Sequence, residues 1–229
     1  MHNVIYSLGV SNFLKEPLQA IDAHVCILNN ILKNCNFDSL LYISSGRIYY
    51  NANSTLEENA YSVNPNMKNE LYNISKLQGE SLCMSMNNPK IKIIRPSNVV
   101  GTNAPSNLFI PSLIKEAVET GKIVLHSTLN SEKDYVYIDD LVQLIPKIIS
   151  LDKYQIYNIA SGYNISSKEI INEIIRLTNC KLEIAPDAKK FSSRQINIDR
   201  IKSEFNFVPT KVVDKIGDVV KFYQILNQN

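Results

Sequence analysis

Tyr72 and Lys76 stand four residues apart in the run Tyr72-Asn73-Ile74-Ser75-Lys76, inside a stretch, residues 70 to 86, whose pattern fits a helix. On a helix that spacing puts the phenol and the ammonium on one face. A phenol with its ordinary pKa of about 10 is a poor base at neutral pH, and a neighbouring ammonium favours the phenolate. Such a pair can take a proton from an alcohol while a cofactor takes the hydride. About thirty residues upstream, the apolar run Leu40 to Ile43 ends in Ser44-Ser45. Open α/β sheets gather their ligands at the carboxyl ends of their strands, so a serine hydroxyl there is placed to hydrogen-bond the reacting alcohol or ketone. Each feature alone has a plainer reading: Tyr72 and Lys76 as an ordinary half-exposed helical face, and the two serines as turn caps.

The elements that must position these residues alternate along the chain. Asn3 to Leu8 is an apolar run that fits a buried strand, and behind Pro17 the residues Leu18, Ile21, Val25, Leu28 and Leu32 recur at helical spacing. Residues 51 to 68, rich in Asn, Ser, Glu and Pro, read as a surface loop. Ile91 to Arg95 is a further strand, closed by Pro96, and Pro111 to Thr120 is a short helix with proline at its start and Gly121 just past its end. Tyr135 to Ile138 is β-branched and aromatic, after which Asp139-Asp140 opens a helix to about Ser150. Ile156 to Ala160 is one more strand, and Ser166 with Glu169 forms a capping box ahead of Ile170, Ile171, Ile174 and Ile175. The C-terminal segment reads as shorter mixed elements and a terminal helix. The alternation predicts an α/β fold, a doubly wound and mostly parallel sheet with helices on both faces, with no internal repeat and no linker.

Composition narrows the partners. The chain has 229 residues, 45% hydrophobic and 20% charged, enough to bury a full core. Twenty-four Lys and Arg against 22 Asp and Glu leave a net charge of +2. There is no charge field of the kind that binds nucleic acid or a membrane surface, and small molecules or protein are the expected partners. Cysteines at 26, 35, 83 and 180 include no C-x-x-C pair and no histidine at zinc-ligand spacing. Neither a disulfide framework nor a metal site is indicated, which fits a reducing cytoplasm. No basic segment precedes a long apolar run at the N-terminus, and no run approaches the ~18 residues of a membrane span, so a soluble, cytoplasmic protein is expected. Glycine is scarce: seven residues, against roughly 16 at average usage. No two lie close enough to make a glycine-rich phosphate loop.

Five segments in order carry a resemblance: Tyr42-Ile43-Ser44-Ser45-Gly46-Arg47-Ile48-Tyr49, then Tyr72-x-x-x-Lys76, then Arg95-Pro96-Ser97-Asn98-Val99-Val100-Gly101, then Lys133-Asp134-Tyr135-Val136-Tyr137-Ile138-Asp139-Asp140, then Tyr157-Asn158-Ile159-Ala160-Ser161-Gly162. Together they cover nearly the whole chain and resemble the extended short-chain dehydrogenase/reductase superfamily, in its NAD-dependent epimerase/dehydratase branch of nucleotide-sugar enzymes. The resemblance implies a Rossmann-like sheet domain over 1–103 and 134–161, and a small C-terminal α+β lobe for the nucleotide sugar over 104–133 and 162–229. It implies Tyr72 as catalytic acid/base, Lys76 as its electrostatic partner and a ligand of the nicotinamide ribose, and Ser45 as the catalytic hydroxyl. Ser7, Leu8, Gly9, Ser44 and Pro96, with Tyr72 and Lys76, are the implied contacts to NAD, with NADP not excluded. Asn98 falls at the family asparagine that touches the nucleotide sugar. Lys133 falls where many members have an arginine on the diphosphate, and a lysine there neutralises phosphate without making a bidentate fork. A homodimer through helices near 17–33 and 70–86 is the family habit.

The chain also departs from the pattern. The family's opening strand, G-x-x-G-x-x-G turn and pyrophosphate-binding helix have no counterpart here. Asn3 to Gly9 resembles the family's fourth strand, so the expected fold is a Rossmann-like sheet truncated at its N-terminal side. Gly46-Arg47 replaces the Asp-Glu pair that follows the serine or threonine in nucleotide-sugar dehydratases, which disfavours dehydration. His24 stands where many members have an asparagine and reads as a buried, satisfied histidine. The expected activity is that of a nucleotide-sugar epimerase or related oxidoreductase of surface-polysaccharide synthesis. The alternative is a non-catalytic remnant or sugar-nucleotide-binding module without bound cofactor.

Overall fold

The computed structural model describes residues 2–10, 12–102, 106 and 108–228. In chain order it begins with β1 (Asn3–Tyr6), α1 (Pro17–Ile21), a π turn (Asp22–Cys26), α2 (Ile27–Asn34) and β2 (Ser39–Ile43). Two 3₁₀ turns (Gly46–Tyr49 and Lys68–Glu70) precede α3 (Leu71–Ser85), β3 (Ile91–Pro96) and β4 (Asn98–Val100). Then come α4 (Phe109–Thr120), β5 (Lys122–Ser127), β6 (Glu132–Tyr137), α5 (Ile138–Ser150) and β7 (Ile156–Ile159). The chain closes with β8 (Asn164–Ser166), α6 (Ser167–Thr178), β9 (Lys181–Lys189), α7 (Asp199–Phe205) and α8 (Val212–Gln228). Two compact units result: Met1–Ser97, Val142–Ile159 and Asn197–Phe207 form the first, and Asn98–Leu141, Ala160–Ile196 and Val208–Asn229 the second. Residues 98–102, 134–141 and 160–161, expected with the sheet domain, cluster with the second unit, and 197–207, expected with the C-terminal lobe, with the first.

The first unit is built on the expected parallel sheet, in the order β1-β2-β3-β7. Its register aligns Tyr6, Tyr42, Ile93 and Ile156 in one row across the four strands. That row packs with Leu28 and Leu32 of α2 and Cys83 of α3, forming a core under the two helices. β2 and β3 are buried along nearly their whole length, as inner strands of a sheet covered on both faces must be. β1, at one edge of the four strands, alternates and leaves Ile5 50% exposed.

The helical run behind Pro17 is not a single α-helix. The π turn adds a residue to one turn and shifts the phase of everything before it. Ala20 is therefore the buried residue of α1, and Leu18, expected on the buried face, is 78% exposed. The same turn carries His24 into full burial.

In the second unit β6 pairs parallel with β4 and antiparallel with β8, while β5 pairs parallel with β9. Ile110 and Ile114 of α4, Ile170 and Ile174 of α6, and Ile216 and Val219 of α8 fill its core. α4 starts at Phe109, two residues before Pro111, and ends as expected at Gly121, whose φ of +67° needs glycine. The Ser166–Glu169 capping box forms in both directions: Ser166 Oγ accepts the Glu169 N–H at 3.2 Å and the Glu169 carboxylate accepts the Ser166 N–H at 3.0 Å. Among the described residues no helix is long and apolar enough to cross a membrane, and no cluster of His, Cys, Asp or Glu could hold a metal ion.

Candidate active site

In the first unit the chain leaves β2 at Ile43 and turns through Ser44 and Ser45 into the 3₁₀ turn at Gly46–Tyr49. Ser45 caps that turn, its hydroxyl accepting the Arg47 N–H at 3.2 Å. Tyr72 and Lys76 lie one turn apart on α3, which rests close to the π turn because residue 79 is glycine. A Cβ at Gly79 would lie 2.3 Å from the Tyr42 hydroxyl and 2.8 Å from the His24 carbonyl oxygen. Three residues implied as catalytic, Ser45, Tyr72 and Lys76, are thus held on neighbouring elements of one unit. Beside them Arg95 of β3 makes a bidentate pair with Glu80 of α3, at 3.0 and 2.6 Å, and donates to the Tyr49 and Tyr61 hydroxyls at 2.9 and 2.6 Å. A buried fork-to-fork pair of this kind fixes the relative position of α3, β3 and the 3₁₀ turn.

Tyr72 is half-buried, and burial raises its pKa; a hydrogen bond with Ser45 and the charge of Arg47 pull the other way. Lys76 is buried, and desolvation lowers its pKa to about 8, with Glu80 opposing. Its ammonium donates to the Ile43 carbonyl at 3.0 Å and lies 5.3 Å from the centre of the Tyr42 ring. His24 meets the Tyr72 ring edge-on, with centroids 5.2 Å apart. The Val10 N–H donates to His24 Nε2 at 3.4 Å, so the ring proton sits on Nδ1, 2.8 Å from Ser75 Oγ. Ser75 in turn donates to the Tyr72 carbonyl at 3.0 Å. Burial first, then the charge of Lys76, push the imidazole down to about 4, so it is neutral at physiological pH.

Ser7, Leu8 and Gly9 follow β1, and Pro96 ends β3, so the implied cofactor residues of the first unit gather at the carboxyl ends of parallel strands. Ser44 Oγ is buried there without a hydrogen-bond partner. A methyl group on Gly9 would sit 3.6 Å from His24 Nε2 and 3.7 Å from Lys76 Nζ, ordinary contact distances that put the Gly9 backbone beside both side chains. The implied substrate residues belong to the second unit. Asn98 on β4 donates to the Asp134 carbonyl at 2.7 Å. Lys133 on β6 places its ammonium 5.8 Å from the ring centres of both Phe109 and Phe191. Lys133, Phe109 and Phe191 line a cavity of about 300 Å³ together with Ser112, Val124 and Tyr135, and Asn98 is not part of that lining. Neither phenylalanine is marked by the motifs, since Phe109 lies between two of them and Phe191 follows the last. Arg47 stands out in the sequence only as a departure from the dehydratase pattern.

Known proteins resemble this chain in sequence and in fold. The first curated relative is the dTDP-4-dehydro-6-deoxyglucose reductase of Escherichia coli, 27% identical over 217 residues that cover 89% of this chain and 66% of that protein. The chain spans 42% to 66% of the length of the curated relatives it matches. Among solved structures, RMD from Pseudomonas aeruginosa complexed with NADPH superposes with a TM-score of 0.83 at 19% identity, over 98% of this chain and 82% of that one. The UDP-N-acetylglucosamine 4-epimerase of Methanobrevibacter ruminantium, in complex with UDP-N-acetylmuramic acid, gives 0.80 at 18% identity, over 100% and 77%. Likeness at such identities establishes a shared fold. Membership follows from the family model, which runs unbroken from residue 3 to residue 160 and takes in β1, the Ser45 turn, α3 and β7: the chain belongs to the NAD dependent epimerase/dehydratase family.

Proposed function

We propose that this chain moves a proton at a hydroxyl of a nucleotide-linked sugar, with Tyr72 as acid/base, in a hydride-transfer reaction served by NAD or NADP. The observation that carries the reading is the placement of Tyr72 and Lys76 on one face of α3 beside Ser45 at the end of β2. The residues present fit the nicotinamide-ribose end of such a cofactor: Ser44 has a buried hydroxyl in need of a partner, and Gly9 leaves the backbone open beside Lys76. For the pyrophosphate end, the 229 residues contain no glycine-rich turn. When bound, the nicotinamide would accept or return the hydride. Ser45 would hold the sugar oxygen, Tyr72 would take or give its proton, and Lys76 would neutralise the site from below. In the second unit Lys133 and the cavity lined by Phe109 and Phe191 offer one cation and two rings to a nucleoside diphosphate.

In the epimerase form of this reading, hydride and proton both leave one face of the sugar carbon and both return to the other, so nothing is consumed. That form would suit surface-polysaccharide synthesis and is supported by the epimerase among the structural neighbours. A reductase form, in which the keto-sugar is the substrate and reduced cofactor is used up, is supported by the name of the first curated relative. Supplying a nucleotide hexose with oxidised cofactor, and separately a nucleotide keto-hexose with reduced cofactor, distinguishes the two by whether net cofactor oxidation occurs. In whichever assay turns over, Tyr72→Phe is expected to lose at least about a hundredfold in kcat while nucleotide binding is kept, the scale of a lost acid/base. Undiminished turnover by that variant removes Tyr72 from the mechanism. Failure of the unmodified chain to bind nicotinamide nucleotide, with retained sugar-nucleotide binding, selects the non-catalytic binding module instead.

A further inference from the structure

We infer that Tyr49 sets the Ser45 hydroxyl against the Tyr72 phenol, as the buried junction between the turn that carries Ser45 and the helix that carries Tyr72, and that Asn158 orients it. The inference rests on Ser45 and Tyr72 being the residues that handle the sugar hydroxyl, and it gives Tyr49 and Asn158 a positioning role. Tyr49 is the last residue of the four-residue 3₁₀ turn, Gly46–Tyr49, that Ser45 caps. The turn is bonded to its cap at two points: Ser45 Oγ accepts the Arg47 N–H at 3.2 Å, and the Ser45 carbonyl accepts the Ile48 N–H at 3.4 Å. A displacement of its last residue is therefore passed to Ser45. Tyr49 is 2% exposed, and its hydroxyl donates to Asn158 Oδ1 at 2.6 Å and accepts from Arg95 Nη1 at 2.9 Å. Arg95 forks onto Glu80, which stands on α3 in one stripe with Lys76 and Tyr72, at intervals of four residues. An unbroken polar chain thus runs from the turn to the helix, and Tyr49 is its link on the side of the turn.

Asn158 has no freedom to release this link. It is fully buried on β7; its two amide protons go to the Thr55 and Asn197 carbonyls at 2.8 and 2.9 Å, and its N–H to Glu57 Oε1 at 3.1 Å. Its Oδ1 is thereby held facing Tyr49. Burial raises the Tyr49 pKa against the pull of Arg95, so the hydroxyl keeps its proton and donates. A phenylalanine would fill the same volume in the core; the hydroxyl adds a fixed length between β7, β3 and the turn. Tyr61 gives the contrast. It also accepts from Arg95 Nη1, at 2.6 Å, but it lies in the loop beyond the turn, and its hydroxyl donates to the Glu57 carbonyl at 3.2 Å. On its outer side the turn meets the phenol through Arg47, whose guanidinium carbon lies 4.9 Å from the Phe13 ring centre and 5.4 Å from that of Tyr72. That side chain is exposed, so the buried side of the turn is where its position is fixed.

The test is a double-mutant cycle read at Tyr72 itself, in the full chain with tyrosine labelled at the phenol carbon, whose NMR shift at neutral pH reports the hydrogen bonding of the hydroxyl. The signal is assigned by its loss in Tyr72→Phe. Ser45→Ala is expected to move it by removing the hydrogen bond between Ser45 and Tyr72. Tyr49→Phe is expected to move it the same way, by at least about half as much, and to add nothing in the Ser45→Ala background. Tyr61→Phe, which takes the other tyrosine hydroxyl from the same guanidinium, is expected to leave it in place. Tyr49→Phe keeps the ring, so circular dichroism should stay native; Arg95→Lys, which keeps a charge for Glu80 but cannot fork, serves in its place if it does not. A signal that Ser45→Ala or Tyr49→Phe leaves unmoved, a change that adds to that of Ser45→Ala, or an equal change in Tyr61→Phe overturns the inference. The readout needs no turnover: coupling in a chain that turns over no sugar upholds the positioning while the functional reading falls, and additive changes in an active chain do the reverse. Where the chain turns over, Tyr49→Phe should also lose about tenfold in kcat with KM unchanged, whereas a loss of thermal stability alone would mark a residue of the core and overturn the inference.

Discussion

His24 shows how one buried side chain can be read from its neighbours. Every polar atom of its ring has a partner, Val10 on one nitrogen and Ser75 on the other, which is the satisfied buried histidine that the sequence suggests. Its cost appears as a pH dependence. Burial, then Lys76, hold the imidazole at about 4 against an ordinary value of 6.5, so the unfolded chain binds this proton more tightly than the folded one. The stability tied to the neutral ring is therefore complete above about pH 6.5 and is lost progressively as the pH falls toward 4. Between pH 8 and pH 5 the unmodified chain should lose about 2 kcal/mol more than His24→Asn, which has nothing to titrate there. Urea unfolding of both proteins across that range measures the difference, and parallel curves would count against the burial of a neutral ring. What was legible at residue level was the placement of Tyr72 and Lys76 on one helical face and of Ser44-Ser45 at a strand end, because helical spacing and a strand end follow local rules. The seat of Arg47 on two aromatic rings was not legible, because Phe13 and Tyr72 lie far apart in the chain and meet only in the fold.

At the scale of elements, the site depends on how closely α3 can approach the π turn and β2. Gly79 permits that approach, and nothing local marks it, since glycine in mid-helix ordinarily only weakens the helix. Alanine at this position adds a methyl 2.3 Å from the Tyr42 hydroxyl, 2.6 Å from its ring carbon and 2.8 Å from the His24 carbonyl. None of these can yield easily: the tyrosine is fully buried and the carbonyl is backbone. Gly79→Ala is therefore expected to destabilise by about 2 kcal/mol, overriding its gain in helix propensity, and to reduce turnover by tilting Tyr72 and Lys76 away from Ser45. A thermal melt at or above that of the unmodified chain would show that the helix is not in such close contact. The strands and helices with strong apolar patterns, β2, β3 and α6, are where the sequence places them, and so is α3, although its buried face is mostly polar. β4, β8 and β9 are not marked, being three residues long or, in β9, polar and interrupted by Pro186, so that only pairing with β6 or β5 makes them strands.

For the whole molecule, the alternation of strand-like and helix-like runs was enough to read the α/β class, since alternating β and α elements build a parallel sheet covered by helices. The boundaries between the units were not legible in composition, because β3 and β4 are joined by Ser97 alone and no change of composition marks the passage from one unit to the next. What the fold leaves uncovered leads to a last prediction. In the first unit the helices expected to pair in a homodimer carry large exposed side chains: Leu18 on α1 at 78%, Ile27 on α2 at 41% and Met84 on α3 at 39%. A second apolar surface lies at the sheet edge, where Ile5 is half exposed. Both could associate, and a net charge of +2 opposes neither. Two copies meeting through their helices would bury like against like in an isologous interface, whereas the edge of β1 offers unpaired backbone to any extended strand. We expect the helical surface to govern self-association. Light scattering should give twice 25.9 kDa for the unmodified chain, and Leu18→Glu with Ile27→Glu should raise the dimer dissociation constant at least about tenfold, while Ile5→Lys leaves it unchanged. Dissociation by Ile5→Lys, with the helix variants still dimeric, would move the interface to the edge of the sheet.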